Sequence, residues 1–291
     1  MNNRGKHLFC FGLGFTGRQI AADHPALRVS GTSRSPAGKA TADGLPLYPF
    51  QRDAGIDGFA DLAADVTHIL LSIPPDAEGD PVFDTMVEEI LRLPKLEWVG
   101  YLSTTGVYGN LDGGWVDETS PCNPSGVRGL RRMRAEQAWR GLYEKSGLPV
   151  HIFRLPGIYG PGRNQLVSLK AGKARRINKP GQVFSRIHVA DLAAILVASM
   201  NRPNSGAVYN VADDEPAPPQ DVVAYAADLL KMPPPPLIDF DAADLTPMAR
   251  SFYDDSKRIS NVKIKSELGI SLQYPTYREG LAALLPAEMG I

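Results

Sequence analysis

The strongest constraint in this chain is an apolar strand that runs into a glycine turn and then a helix. His7–Phe11, "HLFCF", is a compact apolar run that stops at Gly12. Gly12-Leu13-Gly14-Phe15-Thr16-Gly17 fits the pattern G-x-G-x-x-G, and Phe15–Asp23 has helical character. With 28 glycines in the chain, chance matches to that pattern are expected, so its context decides. A strand before it and a helix after it are what dinucleotide binding requires. Gly12 permits the tight turn, Gly14 lets the backbone approach a pyrophosphate, and Gly17 lets helix pack closely on strand. The N–H groups that open a helix then stabilise the phosphate charge. Phe15 and Thr16 complete the candidate cradle; the competing reading is a purely structural turn.

The pattern continues through the first half. "LRVSGTSR" (27–34) reads as a second strand, "LPLYPF" as a short third and "THILLSIPP" (67–75) as a strong fourth. An amphipathic helix over "DTMVEEILRL" (84–93) leads to a strand in "EWVGYLSTTG". A helix over 125–145 leads to a sixth strand in "LPVHIFRLPG". Strands that are apolar throughout, separated by helices, indicate a parallel sheet covered on both faces. The expected class is therefore α/β, a doubly wound parallel sheet of the Rossmann type. Such sheets bind ligands at the carboxyl ends of their strands. Here those ends carry "GLGFTG", "SRS", "SIPP", "STTGVYG" and "LPGIYGPG", rich in glycine, serine, threonine and proline.

Composition narrows the partners. A formal net charge of -1 over 291 residues gives no support for nucleic acid as a general partner. No apolar run approaches the ~18 residues of a membrane span. The N-terminal "MNNRGKHLFCFGLG" runs straight into strand and turn without a signal-peptide cleavage site. Two cysteines, Cys10 and Cys122, make no disulfide framework, which points to the cytoplasm. The histidines show no H-E-x-x-H spacing and the chain has no P-loop, so no metal site is expected.

The end of the second strand selects the cofactor. An acidic residue ~20 positions after the first glycine would hold a ribose 2′-hydroxyl. The sequence offers Thr32-Ser33-Arg34-Ser35 instead. A guanidinium flanked by the Ser33 and Ser35 hydroxyls suits a 2′-phosphate, so NADP is expected over NAD. The alternative for Arg34 is a solvated loop residue.

Several further motifs follow in order: "LSTTGVYG" (102–109), "DETSPCNP" (117–124), "FRLPGIYGPG" (153–162), "RIHVADLA" (186–193), "VYNVADDEP" (208–216) and "SNVKIKSELGI" (260–270). Together with the glycine turn they resemble the extended short-chain dehydrogenase/reductases of the NAD-dependent epimerase/dehydratase family, over nearly the whole chain. The resemblance implies that Thr104, or Thr105 beside it, hydrogen-bonds the reacting oxygen. It implies that Ser72, Ile73 and Pro74 lie beside the cofactor and that Pro156, Gly157 and Ile158 lie near the nicotinamide. It makes "RIHVADLA" the segment that returns the chain to the sheet, with Asp191 as a helix cap. It also divides the chain into a dinucleotide-binding domain, 1–163 with 183–211, and a small substrate-binding domain, 164–182 with 212–291. Homodimers are common in the family, through helices near 84–93 and 125–145. Met86, Ile90, Leu130 and Trp139 offer apolar material for such pairing or for the core.

One motif is broken. The family carries a tyrosine, a lysine four residues later and often a glutamate four further on. Anchored on Glu136, those positions fall on Arg128 and Arg132, within "GVRGLRRMRAE" (126–136). Arg132 can keep the lysine's charge and hydrogen bonds to the cofactor ribose. Arg128 cannot replace a phenol, because a guanidinium stays protonated. It can bind a substrate carboxylate or phosphate, and positions 128 and 132 share a helix face. Arg131 and Arg134 point elsewhere. The other acid–base candidates, Tyr108, Tyr159 and His188, read as structural. In the family, arginines near Arg186 and Arg250 stand against a substrate diphosphate. The expected protein is thus an NADP(H)-binding oxidoreductase or epimerase-like enzyme for a small, polar, anionic substrate, with nucleotide sugars as one class. The rival is a non-catalytic dinucleotide-binding or redox-sensing protein.

Overall fold

The structure, a computed structural model, describes residues 5–34, 40–41 and 43–290. Ser35, one of the residues expected to hold a 2′-phosphate, lies outside that set. In chain order the elements are β1 (His7–Phe11), α1 (Phe15–Asp23), β2 (Arg28–Ser33), β3 (Leu47–Pro49), α2 (Phe59–Leu62), β4 (His68–Leu71), α3 (Pro81–Leu91) and β5 (Trp98–Thr104). A 3₁₀ turn at Thr105–Tyr108 leads to β6 (Trp115–Val116), α4 (Val127–Ser146), β7 (Val150–Leu155), β8 (Gly157–Tyr159), α5 (Gln165–Lys170), β9 (Arg176–Asn178) and β10 (Arg186–His188). The chain closes with α6 (Val189–Asn201), β11 (Val208–Asn210), α7 (Pro219–Leu229), β12 (Leu237–Asp239), α8 (Pro247–Ser251), β13 (Arg258–Ile259), α9 (Val262–Leu268) and α10 (Tyr277–Met289).

Two compact units are built from these elements. The first takes Met1–Thr104, Leu130–Arg154 and Ala193–Tyr209; the second takes Thr105–Gly129, Leu155–Leu192 and Asn210–Ile291. In the first, seven strands form one sheet in the order β11-β7-β5-β4-β1-β2-β3. β1 pairs in parallel with β2 (Leu8 opposite Val29) and with β4 (Leu8 opposite His68). The chain thus works outward from β1 through β2 to β3, then returns to the other side of β1 with β4. This is the Rossmann-type sheet expected from the sequence, and its switch point lies between β1 and β4.

Its core is aromatic and aliphatic. Phe9, Phe11, Phe50, Phe59, Ile69 and Tyr101 are buried together. Phe9 and Phe59 meet edge to face at 5.5 Å between ring centroids, as do Phe11 and Phe50 at 5.6 Å. Rings prefer such edge contacts because their faces are electron-rich and their rims are not. Met86, Ile90 and Trp139 are buried in this same core. The helix α3 begins earlier than expected, because Pro81 occupies its first turn and Asp80 caps it, accepting from the Val82 and Phe83 N–H groups at 2.9 and 3.1 Å. Burial raises the Asp80 carboxyl pKa, and those two N–H groups and the Trp139 indole N–H oppose the shift.

The second unit has three small parallel pairs, β8 with β10, β9 with β12 and β6 with β13. Its core joins Leu166 and Leu169 of α5 to Val222, Val223 and Ala226 of α7 and to Tyr277, Leu281 and Leu284 of α10. "RIHVADLA" departs from its expected place: its strand, β10, pairs with β8, and the chain rejoins the main sheet only at β11. Asp191 is no helix cap either. Its two oxygens accept from the backbone N–H groups of Gln273 and Tyr274 at 2.6 and 3.0 Å, which clamps the loop before α10.

Candidate functional site

The glycine turn is assembled from three sequence-distant pieces. Gly12 has φ +87°, a value that disfavours any side chain, and a Cβ there would stand 2.8 Å from the Ser72 hydroxyl. Its N–H donates to the Thr32 hydroxyl at 2.8 Å, and the Leu13 N–H donates to the Thr32 carbonyl at 2.8 Å. Ser72, just past β4, donates its hydroxyl to the Gly12 carbonyl at 2.6 Å. A Cβ on Gly17 would meet Leu13 at 2.9 Å and the Cys10 sulfur at 3.1 Å, so α1 lies tight on β1. Gly14 differs: it is exposed, and the nearest atom to a Cβ there is 4.0 Å away. Open space over this residue is what a pyrophosphate needs. Gly14, the N-cap residue of α1, supplies no side-chain cap, and the first turn has no acidic residue, which suits an anion there. Thr16 is buried at that turn and Phe15 half-buried. Ser33 is half-buried and Arg34 exposed at the end of β2; Ile73 is half-buried and Pro74 exposed after Ser72. The Cys10 thiol, fully buried beneath the turn, is pushed up to about 12 and is chemically inert.

At the carboxyl end of β5, Thr104 is half-buried and Thr105 buried. Arg132 donates from Nη1 to the Leu102 carbonyl at 2.7 Å and to the Tyr101 hydroxyl at 3.3 Å. One turn further along α4, Glu136 is buried. Arg154 of β7 grips its carboxylate with Nη2–Oε2 at 2.8 Å and Nε at 3.2 Å from both oxygens. Ser103, beside Thr104, donates to Glu136 Oε1 at 2.5 Å. Arg131 is half-buried and Arg134 exposed.

In the second unit, Gly157 stands opposite Arg186 and Ile158 opposite Ile187, with Pro156 just before. Arg186 lies over the Tyr277 ring at 5.1 Å and donates weakly, at 3.4 Å, to the carbonyls of Glu215 and Ala217. Arg250 lies 4.5 Å from the Phe240 ring centroid and donates to the Ala243 carbonyl at 3.2 Å. Lys179 sits 5.0 Å from the same ring and donates to the Tyr253 carbonyl. Arg128 donates to the Ser251 hydroxyl at 3.0 Å. Among the described residues none of these four cations forms an ion pair, whereas Lys257, Lys265 and Arg278 of the same unit do. Neutral acceptors hold the four in place, although Asp213 and Glu215 act on Arg186 from beyond ion-pair distance.

A model of the NAD-dependent epimerase/dehydratase family matches residues 81–212. Over those residues the chain carries the sequence pattern of that family. A functionally unknown conserved protein from Silicibacter pomeroyi DSS is 51% identical, with a TM-score of 0.87 over 97% of this chain and 99% of its own. Protein YeeZ of Escherichia coli K12 is 28% identical across 93% of this chain and 97% of its own length. The fold also matches dTDP-glucose 4,6-dehydratase of Bacillus anthracis in complex with NAD, at 18% identity and a TM-score of 0.79 over 98% and 97% of the two chains.

The acid–base candidates Tyr108, Tyr159 and His188 are each engaged within the fold. Tyr108 is buried and donates to Asn210 at 2.8 Å. Burial drives the Tyr159 pKa far above its usual value, and its hydroxyl reaches the Thr276 carbonyl at 3.5 Å. His188 packs against Tyr274 at 4.1 Å and Tyr159 at 5.1 Å, while its Nδ1 accepts from the Ala190 N–H. Among the described residues no helix is long and apolar enough to cross a membrane, and no group of three or more His, Cys, Asp or Glu is placed to hold a metal ion.

The sequence reading missed three features. Thr32 was visible as a strand-end threonine but gave no sign of its grip on the turn. Glu136 served there only as a motif anchor, and its partner Arg154 lies 18 residues away. Asp213, in "VADDEP", is buried with its Oδ2 free of hydrogen bonds. Burial raises its pKa from 3.8 to about 8, and the Arg186 charge and the Glu215 N–H only partly oppose the shift. The folded chain therefore holds a proton that the unfolded chain releases near 3.8. The stabilisation is complete below that value and is lost as pH rises towards about 8, at up to about 1.4 kcal/mol per pH unit. Asp213→Asn removes this term. Its melting temperature, relative to the parent, is expected to rise steadily from pH 5 to pH 8. A difference that does not change with pH counts against the assignment.

Proposed function

We propose that this protein is an NADP(H)-binding, atypical short-chain dehydrogenase/reductase, an oxidoreductase or epimerase-like enzyme for a small, polar, anionic substrate. The observation that carries the reading is the turn at Gly12–Gly17: three glycines in three different roles, with open space among the described residues at Gly14, where α1 begins. Gly14, Phe15, Thr16 and Gly17 hold the pyrophosphate there, with Ser72, Ile73 and Pro74 alongside. Ser33, Arg34 and Ser35 take the 2′-phosphate, and Pro156, Gly157 and Ile158 lie by the nicotinamide. When bound, the cofactor supplies a hydride donor or acceptor. Thr104 or Thr105 holds the reacting oxygen by its hydroxyl. Arg132 has Nη1 committed to β5, which leaves Nε and Nη2 for a ribose hydroxyl. Arg128, Arg186 and Arg250 receive the anionic parts of the substrate; their lack of ion-pair partners among the described residues supports this, since a bound anion would replace neutral hydrogen-bond partners with charge-assisted bonds. Residues 164–182 with 212–291 form the substrate-binding part, and 1–163 with 183–211 the cofactor-binding part. The reading includes a cytoplasmic homodimer. With Met86, Ile90 and Trp139 consumed by the core, pairing through α3 and α4 falls to outer residues such as Leu91 and Tyr143.

NADPH is expected to bind about 10- to 100-fold more tightly than NADH, because a guanidinium bond to phosphate contributes roughly 1.5–3 kcal/mol. Arg34→Ala should erase most of that difference. Equal affinities in the parent, measured by fluorescence titration, would overturn the NADP assignment. A second reading, a non-catalytic dinucleotide-binding protein, is favoured by the engaged hydroxyls of Tyr108 and Tyr159. The two part on whether bound NADPH is oxidised when small carbonyl compounds are supplied.

A further inference from the structure

The sequence leaves open which anion Arg128 would serve, and the surroundings of that residue narrow the choice. Arg128 opens α4. Its Nη2 donates to the Ser251 hydroxyl at 3.0 Å, and its guanidinium carbon lies 4.6 Å from the centroid of the Phe252 ring. Ser251 in turn donates to the Met248 carbonyl at 2.8 Å, closing the last turn of α8. The corner is anchored on both sides. Ser125, just before α4, donates to Asp255; Lys257 holds Asp255 at 3.0 Å and the Gly109 carbonyl at 2.7 Å. At its base, Gly129 packs so closely that a Cβ would meet the Gly106 carbonyl at 2.6 Å.

This anchored corner exposes apolar surface. Phe252 is 55% exposed, Met248 65% and Val127 63%. These are three of the five most exposed large hydrophobic side chains among the described residues, and all belong to the two short segments that meet at Arg128. A cation without a carboxylate partner, set among exposed apolar side chains, asks for a ligand with both characters. Inorganic phosphate or a sugar phosphate would satisfy the guanidinium and leave the apolar side chains in water. A neutral aromatic compound would cover the ring and leave the charge with a hydroxyl.

We propose that this corner binds an amphipathic carboxylate, an aryl-substituted acid whose ring lies against Phe252 and Met248 while its carboxylate takes the Arg128 guanidinium. The carboxylate replaces a neutral hydroxyl partner with two charge-assisted bonds, and planar bidentate recognition is what a guanidinium does best. The Ser251 hydroxyl keeps its bond to the Met248 carbonyl. The ring removes exposed apolar surface from water. This rests on the reading that Arg128 faces the substrate, and it assigns that substrate to the aryl carboxylates instead of the nucleotide sugars.

Calorimetric titration of the full chain tests it, with and without NADPH, using 3-phenylpropionate, its amide, propionate and uridine diphosphate as probes. The acid is expected to bind at least about 10-fold more tightly than either its amide or propionate. Arg128→Leu should abolish the difference between acid and amide, and Phe252→Ala the difference between phenylpropionate and propionate. Both side chains are exposed, so thermal melts of the variants should match the parent. The proposal is overturned if the amide or propionate binds as well as the acid, or if no probe binds. It is also overturned if uridine diphosphate binds more tightly, through Arg128 but indifferently to Phe252. The NADPH arm reads the cofactor assignment by itself: NADPH that fails to bind while phenylpropionate behaves as stated defeats that assignment and leaves this one standing.

Discussion

Glu136→Leu should lower the unfolding free energy by about 3–5 kcal/mol, and adding Arg154→Met should recover part of the loss. The Glu136 and Arg154 side chains are 3% and 5% exposed and meet at 2.8 Å, with a second contact through Nε. Removing the carboxylate strands a guanidinium in a place water cannot reach, and that uncompensated charge causes the large effect. Replacing both charges with apolar side chains of similar volume removes the desolvation penalty along with the attraction, which is often neutral or stabilising. The double variant still leaves the Ser103 hydroxyl without its acceptor, a loss of roughly 1–3 kcal/mol. A domain's whole stability is about 5–15 kcal/mol, so the single variant should show a clearly shifted urea midpoint. A single variant close to the parent, or a double variant no better than the single, would contradict this account of the pair.

The same pair shows where the sequence stops being legible. The glycine turn could be read because its logic is local: strand, three glycines and helix follow one another within 17 residues. The central sheet could be read because each parallel strand is an unbroken apolar run, and parallel neighbours need helical crossovers. Glu136 was visible only as the third member of a motif. Nothing within α4 shows that its carboxylate would be gripped from β7, because that contact depends on how the sheet stacks the helix. Asp191 failed for a related reason. Its position at the start of α6 fits a cap, but the loop before α10 brings two N–H groups to it from more than 80 residues away. Apolar periodicity marked Met86, Ile90 and Trp139 as facing something greasy. Periodicity cannot distinguish a protein's own core from a second copy, and here the core takes them. The second unit was the least legible part. Its strands are two or three residues long and pair across gaps set by tertiary packing, so β10 could join β8 without any local sign.

Gly14→Val should leave the fold nearly untouched and weaken NADPH binding by about 100-fold or more, a loss of about 2.7 kcal/mol. The contrast among the three glycines of the turn makes this a sharp test. Gly12 sits at φ +87° with the Ser72 hydroxyl 2.8 Å from a would-be Cβ, so even Gly12→Ala strains the backbone and disturbs β4. Gly17 is hemmed in by Leu13 and Cys10, so a side chain there pushes α1 off β1 and lowers stability. Gly14 has neither restraint. Its φ is −107°, which any residue adopts, and a Cβ there meets only the Gly12 carbonyl at 4.0 Å. Apart from its chain neighbours, no other described residue comes within 4 Å of that Cβ, and in this reading the space belongs to the pyrophosphate. A valine fills it with methyl groups that the N–H groups of α1 cannot reach past, while the buried contacts of the turn persist. The expected signature is an unchanged urea midpoint with lost cofactor binding for Gly14→Val, and a lowered midpoint for Gly12→Ala and Gly17→Val. If Gly14→Val binds NADPH as the parent does, the cofactor does not cross this turn, and the roles of Phe15, Thr16 and Arg34 fall with it.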